Sequence, residues 1–205
     1  MAAQLPDPRE RADAARNRRR VLAAAEELFA ARGARTVTME DIARAAGVGK
    51  GTLYRRFPDR ASIAVALLDE HERALQEQLL RGPPPLGPGA PPAERLAAFY
   101  AAMVELLERH LHLALGAETG SRRFATGAYG FWHAHIRALV VDAAGEPVAG
   151  QGRLDALVDA LLAPLTPELH QHQRDRGRSA ADATAALTHL ARAALGRPDG
   201  DRGTA

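Results

Sequence analysis

The chain has 205 residues, of which 46% are apolar and 25% charged, the composition of a protein that folds around a hydrophobic core. It contains no cysteine, which excludes disulfide frameworks, thiolate zinc sites and cysteine nucleophiles. Apolar runs such as residues 97–104 are far too short to span a bilayer, and the first thirty residues lack the order of a secretory signal. We therefore expect a soluble, cytoplasmic protein with no membrane partner.

Basic residues are concentrated near the amino terminus. Residues 1–60 carry 13 Lys and Arg against 8 Asp and Glu, whereas the whole chain has a net charge of only +2. A basic first third on a slightly acidic body favours a polyanion as the partner of that third alone. Lys50 is the only lysine among the 27 basic residues, and we attribute this preference for Arg to codon composition.

Helix start and stop signals follow one another along the chain, and strand signals are almost absent. Pro8 begins a helix that Gly33 ends, Thr38 caps a short second helix, and Phe57-Pro58 closes a third. The predicted helices cover roughly residues 8–32, 38–47, 49–57, 59–81, 93–110, 111–119, 125–144, 151–163, 167–175 and 179–195. The pattern predicts an all-α fold.

The Pro- and Gly-rich residues 82–92 cannot sustain a helix or a central strand. They are predicted to form a surface connection between two helices. A proline motif that binds another protein is the alternative.

Two short helices joined by residues 46–49 have the proportions of a helix-turn-helix, in which the second helix lies in the major groove of DNA. The apolar side of the first of these helices is predicted to consist of Met39, Ile42, Ala45 and Ala46. The residues predicted to pack the two helices together are Ile42, Ala46, Val48 and Leu53. Those left to face outward are Lys50, Thr52, Tyr54, Arg55 and Arg56. The glycines of the turn do not predict a dinucleotide-binding loop, because no strand precedes them.

Residues 38–57 read TMEDIARAAGVGKGTLYRRF, and residues 21–33 read VLAAAEELFAARG. The first segment closely resembles the DNA-binding signature of the TetR/AcrR family of bacterial transcriptional regulators, and the second resembles that family's first helix. The resemblance covers residues 18–70, about a quarter of the chain. It implies a helix-turn-helix DNA-binding domain over residues 1–58, with the motif at about 37–57. It further implies an all-helical ligand-binding and dimerisation domain over 59–196, followed by a tail over 197–205.

The resemblance also implies roles for particular residues. Thr38 offers its hydroxyl and nearby backbone N–H groups to a phosphate, and Lys50 reaches a guanine edge or a phosphate. Gly51 allows the backbone to approach DNA closely, and Tyr54 looks like the family's phosphate-contacting tyrosine. The predicted DNA-binding residues are together Thr38, Gly49, Lys50, Gly51, Thr52, Tyr54, Arg55, Arg56 and Arg60. The structural alternatives are that Tyr54 packs into the domain core and that Arg55 or Arg56 only pairs with a carboxylate.

Residues 38–57 differ from the family pattern at two points. Gly49 replaces a common Ser and removes one hydroxyl contact, and Arg55-Arg56 replaces a more frequent pair that ends in His. A second Arg adds charge and favours guanine in the operator. Six arginines also crowd the start of the first helix, namely Arg9, Arg11, Arg16, Arg18, Arg19 and Arg20. They form either a DNA-contacting arm or a solvated helix face.

Aromatic side chains are concentrated in the predicted ligand-binding and dimerisation domain, residues 59–196, although only 4% of the chain's residues are aromatic. The candidate effector pocket is Tyr100, Met103, Phe124, Tyr129, Trp132, His133 and His135; the alternative is that these residues are simply the bulky core. Three His-x-His pairs, at 110/112, 133/135 and 170/172, point to different faces of a helix and so do not predict a metal site. No cofactor is predicted.

Two apolar stripes near the carboxyl end predict a two-fold dimer interface in the form of a four-helix bundle. The predicted interface residues are Leu154, Leu157, Val158, Leu161, Leu187, Leu190, Ala191 and Ala194. Burial within the monomer is the alternative for part of each stripe.

Together these features predict a homodimeric one-component transcription regulator, most simply a repressor that a small-molecule effector releases from palindromic double-stranded DNA. The alternatives are a DNA-binding regulator with no effector and a small helical enzyme. The enzyme is disfavoured because no carboxylate–His or Ser–His spacing singles out a nucleophile or base.

Overall fold

The structure, a computed structural model, describes residues 8–33, 36–116, 127–145 and 150–196. The helices are α1 (Pro8–Arg32), α2 (Met39–Ala46), α3 (Lys50–Arg56), α4 (Arg60–Arg81), α5 (Pro92–Gly116), α6 (Gly127–Ala144), α7 (Gln151–Leu162), α8 (Pro167–Asp175) and α9 (Ala180–Leu195). A short 3₁₀ turn, Ala163–Leu165, follows α7. None of the described residues forms a strand, so the all-α prediction is confirmed.

The helix bounds follow the predicted ones closely, with one difference at α5. Residues 93–110 and 111–119 were expected to form separate helices, but the structure has a single helix with non-helical backbone angles at His110 (φ −125°, ψ 21°). The predicted break is therefore a kink. The ring of His110 stacks on that of His71 in α4, with ring centroids 3.7 Å apart.

Contacts divide the described chain into two units. The first comprises the residues up to 69 together with 112–116, and the second the remainder. The predicted domain boundary at residue 58 lies inside the first unit and stays a prediction. The predicted tail, 197–205, lies outside the described residues.

Each unit has its own apolar core. In the first unit, one face of α1 packs on α2 and α3, and Leu22, Phe29, Ile42 and Leu53 are at most 1% exposed. In the second unit, Phe99 and Tyr100 of α5 are fully buried among apolar residues of α6, α7 and α9. Burial of these stripes, which the periodicity of the sequence places on one face of each helix, stabilises both units.

The connection between α4 and α5 is a series of turns, as predicted. The Gly87 N–H donates to the Pro83 carbonyl at 2.9 Å. A Cβ on Gly87 would lie 1.8 Å from the Gly82 carbonyl oxygen, so this position requires glycine. None of the helices among the described residues is both long enough and apolar enough to cross a membrane.

Candidate nucleic-acid interface

Helices α2 and α3 form a helix-turn-helix whose apolar contacts agree with most of the prediction. Ile42 and Leu53 are fully buried and Val48 packs on the same core. Ala43 is buried where the sequence favoured Ala45, which is exposed. The error is one of helix phase, since an alanine-rich stretch gives little contrast between faces.

The turn between the two helices depends on Gly47 and on α1. Gly47 adopts left-handed angles (φ 61°, ψ 39°), which glycine tolerates best, and its N–H bonds to the last turn of α2. The Arg20 guanidinium donates to the Gly47 carbonyl at 3.2 Å. Arg20, which the sequence placed in a possible DNA-binding arm, therefore supports the turn that aims α3.

Thr38 forms a capping box at the start of α2. Its hydroxyl accepts from the Asp41 N–H at 3.1 Å and donates to the Asp41 carboxylate at 2.7 Å, while the Thr38 N–H donates to the same carboxylate at 3.1 Å. The bonds from Thr38 hold the pKa of Asp41 below its ordinary value. A phosphate would have to displace Asp41 to receive the hydroxyl hydrogen of Thr38.

Lys50, the first residue of α3, pairs with Glu40 of α2. The ammonium group donates to the carboxylate, and this hydrogen bond and the charge of Lys50 lower the pKa of Glu40. Both side chains remain more than half exposed, at 63% for Lys50 and 56% for Glu40. Gly49 caps α3 with extended angles and without a side-chain hydrogen bond. Lys50 is therefore accessible to DNA, but Glu40 competes for it.

The outward face of α3 carries exposed polar groups. Thr52, Arg55 and Arg56 are exposed, and Tyr54 is 48% exposed, so Tyr54 is not a core residue. Within the described part of the chain, neither Arg55 nor Arg56 has a carboxylate partner. Exposed cations and hydroxyls on a short helix held by a rigid turn are the groups that contact phosphates and base edges in a major groove.

Arg60 begins α4, at the helix start that the sequence predicted. Its guanidinium is partly buried and donates to the Val37 carbonyl at 3.1 Å, just before the capping box. Arg60 therefore supports the start of α2, and the DNA contact predicted for it stays a prediction.

Some of the arginines near the start of α1 interact with other residues of the same domain. Arg16 pairs with Asp13, and the Arg18 guanidinium lies over the Phe57 ring, 5.6 Å from its centroid. Arg19 is exposed. The side chains of Arg9 and Arg11 lie outside the described part of the chain.

Comparison with known proteins decides what this helix-turn-helix is. Residues 21–67 match the family model described as bacterial regulatory proteins, tetR family, and this segment includes α2, α3 and most of the core they share with α1. Residues 21–67 are a helix-turn-helix domain of the TetR family. The resemblance seen in the sequence is confirmed.

Curated relatives resemble the TetR domain alone. An uncharacterised HTH-type transcriptional regulator of Mycobacterium tuberculosis is 38% identical over 61 residues, which is 30% of each chain. The match thus spans less than a third of that relative.

Solved structures resemble more of the chain. A transcriptional regulator from Saccharomonospora viridis, solved in complex with choline, has a TM-score of 0.62 at 24% identity, covering 84% of this chain and 94% of that one. RolR, solved in complex with resorcinol, has a TM-score of 0.62 at 19% identity, covering 92% and 97%. At these identities the likeness establishes the fold, in which an all-helical region follows the TetR domain.

The structure separates the residues predicted to line an effector pocket in that helical region. Tyr100, Met103 and Trp132 are buried in the core, and the Tyr100 hydroxyl donates to the Leu161 carbonyl at 2.8 Å. Burial raises the pKa of Tyr100. Phe124 lies outside the described residues. These three buried residues fit the alternative interpretation as core.

Two other predicted pocket residues, Tyr129 and His133, lie beside Asp159 of α7. The Tyr129 hydroxyl donates to the Asp159 carboxylate at 2.8 Å, and His133 Nε2 lies 3.8 Å from the same oxygen. Both rings are half-buried, and their centroids are 6.4 Å apart.

His135 lies in a different environment, next to the Phe99 ring (5.5 Å between centroids). Burial, followed by the positive charge of Arg95, lowers the pKa of His135 to about 4. The Nε2 atom of His135 and the Nε atom of Arg95 are buried without a hydrogen-bond partner among the described residues. Arg95, which the sequence did not single out, is the polar neighbour of His135.

The predicted dimer stripes are largely core of the second unit. Five of the eight residues are buried within the protomer, namely Leu154, Val158, Leu161, Leu187 and Ala191. The exposed remainder consists of Leu157 (40% exposed), Leu190 (36%) and Ala194. The stripes predicted burial correctly, but only these three side chains are left for a partner.

Proposed function

We propose that this TetR-family protein is a dimeric transcription regulator that binds palindromic operator DNA through α3. The observation that carries the proposal is the outward face of α3, where Arg55 and Arg56 are exposed with no carboxylate partner in the described ranges. Unpaired cations on a recognition helix attract phosphates and can form bidentate bonds to guanine. Thr52 and Tyr54 add hydroxyl groups on the same exposed surface.

Dimerisation would join two such helices for adjacent half-sites, about 34–36 Å apart. The exposed apolar residues Leu157 of α7 and Leu190 of α9 support a helix-based, two-fold contact between copies.

A small-molecule effector would act by population shift, because it prefers an arrangement of the chain that binds DNA less well. Structural neighbours solved with choline and resorcinol support a ligand site in the helical region. The burial of Tyr100, Met103 and Trp132 supports a regulator with no effector instead. Thermal unfolding with a ligand library separates the two, since a ligand that binds the folded chain raises the unfolding temperature.

Selection of bound fragments from random duplex DNA tests the proposal. We expect an inverted repeat, and binding that weakens steeply as salt is raised. Arg55→Ala and Arg56→Ala should each weaken binding to the selected fragment by roughly 5- to 150-fold, the equivalent of 1–3 kcal/mol. The matched control is Arg81→Ala, which removes an exposed arginine that pairs with Glu77 in α4. Failure to enrich any sequence, or equal losses in all three variants, would refute operator binding through α3.

A further inference from the structure

A cleft of about 470 Å³ lies in the first unit between α1 and α3. Its volume is within the range of small-molecule sites, roughly 300–1,000 Å³. No residue of the second unit contributes to its lining. The cleft is therefore a candidate ligand site within the TetR domain, separate from the helical region.

The floor of the cleft is apolar. Val21, Leu53 and Phe57 line it and are at most 4% exposed, and Val48 adds a partly buried side chain. Val21 comes from α1, Val48 from the turn, Leu53 from the middle of α3 and Phe57 from its end, so the floor is part of the packed core. Such a surface favours a hydrocarbon or aromatic group over water or a sugar–phosphate backbone.

The rim of the cleft is positively charged. Arg18, Arg55 and Arg56 line it, and the last two have no acidic partner among the residues described. Arg18 already lies over the Phe57 ring at the floor. The one carboxylate of the lining, Asp13, is paired with Arg16, so it does not balance the charges of Arg55 and Arg56.

We propose that this cleft binds a small amphipathic carboxylate, an aromatic or short aliphatic acid. The hydrocarbon part would lie on Val21, Leu53 and Phe57, and the carboxylate would accept hydrogen bonds from Arg55 or Arg56. Planar guanidinium groups match a carboxylate in two parallel bonds. A DNA phosphate supplies the charge but no apolar group for the floor, so the acid fits both halves of the cleft.

The regulatory consequence rests on the proposed function. Arg55, Arg56 and Thr52 belong both to the cleft lining and to the predicted DNA-binding surface. One guanidinium cannot bond a bound acid and a DNA phosphate or base in the same geometry. The acid and DNA therefore compete for one surface. This competition requires no conformational change in the all-helical region that follows the TetR domain.

The direct test is titration of the full-length ¹⁵N-labelled chain with 1-naphthoate, followed by amide NMR shifts. We expect saturable shifts at Val21, Val48 and Leu53. Acetate, which has the charge alone, and 1-naphthamide, which has the rings alone, should shift these amides at least tenfold less at equal concentration. Arg55→Gln/Arg56→Gln should weaken the naphthoate affinity at least tenfold, whereas the matched control Arg81→Gln should leave it unchanged.

A competition experiment tests the consequence for DNA. With the selected fragment, at constant ionic strength, the apparent Kd for DNA should rise without a plateau as naphthoate is added. The rise should be steeper than linear, because both clefts of a dimer must be vacated, and should exceed tenfold at concentrations that saturate the site. If naphthoate shifts only amides of the second unit, or shifts no amides, the proposed site is wrong. Naphthoate binding without displacement of DNA would overturn the competition. Naphthoate binding in a chain that binds no DNA would refute the proposed function and leave the site standing.

Discussion

Glu40 and Lys50 form an ion pair across the helix-turn-helix, at the point where α3 would enter DNA. Glu40 places a negative charge on the surface that we propose meets phosphates, and it holds the ammonium group that the resemblance assigns to DNA. Exposed ion pairs contribute little to folding, so the pair opens at small cost. We therefore expect its effect on DNA binding to exceed its effect on stability.

We expect Glu40→Gln to tighten binding to DNA of any sequence by about 2- to 5-fold at low salt, because one repulsive charge is removed and Lys50 is released. Fluorescence anisotropy with operator and random fragments at two salt concentrations measures the change. The control is Glu77→Gln, which breaks a comparable exposed pair with Arg81 in α4. An equal gain in both variants would indicate a general charge effect and contradict a local role for Glu40.

Gly51 is a glycine of α3 with open space beside it, since no atom apart from its chain neighbours and the adjacent helix backbone lies within 4 Å of the position that a Cβ would take there. Alanine favours a helix interior over glycine by roughly 0.5–1 kcal/mol, so Gly51→Ala should stabilise the folded chain by that amount. If the backbone approaches DNA closely at this point, the same methyl group should weaken operator binding more than tenfold. Chemical denaturation and anisotropy measure the two effects.

Gly130 of α6 provides the matched control, because a methyl group at this position would likewise have no atom within 4 Å. Gly130→Ala should raise stability by a similar amount and leave DNA binding unchanged. Undiminished operator affinity in Gly51→Ala would contradict a close approach of the α3 backbone to DNA.

At the scale of the element, two helices begin with the same device. Thr38 and Asp41 form a capping box on α2, and Ser179 and Asp182 form one on α9. In each box the hydroxyl residue lowers the pKa of its aspartate. Thr38→Ala and Ser179→Ala should each reduce the unfolding free energy by about 1 kcal/mol.

Only one of the two boxes lies in the candidate DNA-binding domain, so the pair separates stability from function. Thr38→Ala should also weaken operator binding, because the start of α2 faces the backbone of DNA in this motif. Ser179→Ala should not. Denaturant titrations and anisotropy on both variants suffice, and a loss of DNA affinity in proportion to stability in both would contradict a phosphate role for Thr38.

Sequence patterns predicted the elements well because their signals are local. Thr38 and Asp41 are three residues apart, and Gly47 follows directly on the helix that it ends. The partners that aim α3 are distant in the chain: Arg20 bonds to Gly47 across 27 residues, and Arg60 bonds to Val37 across 23. No spacing rule predicts such contacts. The sequence therefore assigned Arg60 to DNA, and it left Arg20 open between a DNA-contacting arm and a solvated helix face.

Apolar periodicity has a related limit in the second unit. Leu154, Val158 and Ala191 show the spacing of a buried face, and they are buried. The pattern does not say whether the partner surface belongs to the same chain or to another copy. The aromatic cluster has the same ambiguity, since Trp132 and Tyr100 fit both a pocket wall and a core.

At the scale of the whole molecule, the proposed dimerisation would depend on a small exposed surface. Replacing Leu157 and Leu190 by Glu should give a folded monomer, since both side chains are at least 36% exposed and a charge there costs the protomer little. Operator affinity should fall by more than tenfold when the two half-sites are no longer bound together. Sedimentation equilibrium and anisotropy measure these effects.

Leu80→Glu is the control, because Leu80 is a 56% exposed leucine of α4 outside the predicted interface. It should remain dimeric and bind DNA as the unsubstituted chain does. A double variant of Leu157 and Leu190 that stays dimeric would place the interface elsewhere.

His135 couples the stability of the chain to pH. Its pKa falls from 6.5 to about 4 on folding, so the unfolded chain binds a proton more readily in this interval. The unfolding free energy should therefore decrease as pH falls from about 6.5 to about 4, with no contribution from this residue above that range. Because the ring is partly exposed, we expect a loss of about 1–2 kcal/mol.

The contribution is measured as the difference between the chain and His135→Gln in denaturant titrations across this pH range. His189→Gln, at an exposed position of α9, is the control. Identical pH profiles for the chain and His135→Gln would show that the ring titrates in the folded state as it does in the unfolded one.

The single lysine of the sequence has a practical consequence, because it opens α3 and is 63% exposed. Amine-reactive dyes, cross-linkers and sensor chips have only that side chain and the terminal amine to attack. Conjugation by this chemistry would tether or mask the recognition helix itself. Protein that is immobilised or labelled through Lys50 would then show a low affinity for DNA because of the attachment. Coupling through an introduced cysteine instead would restore the affinity.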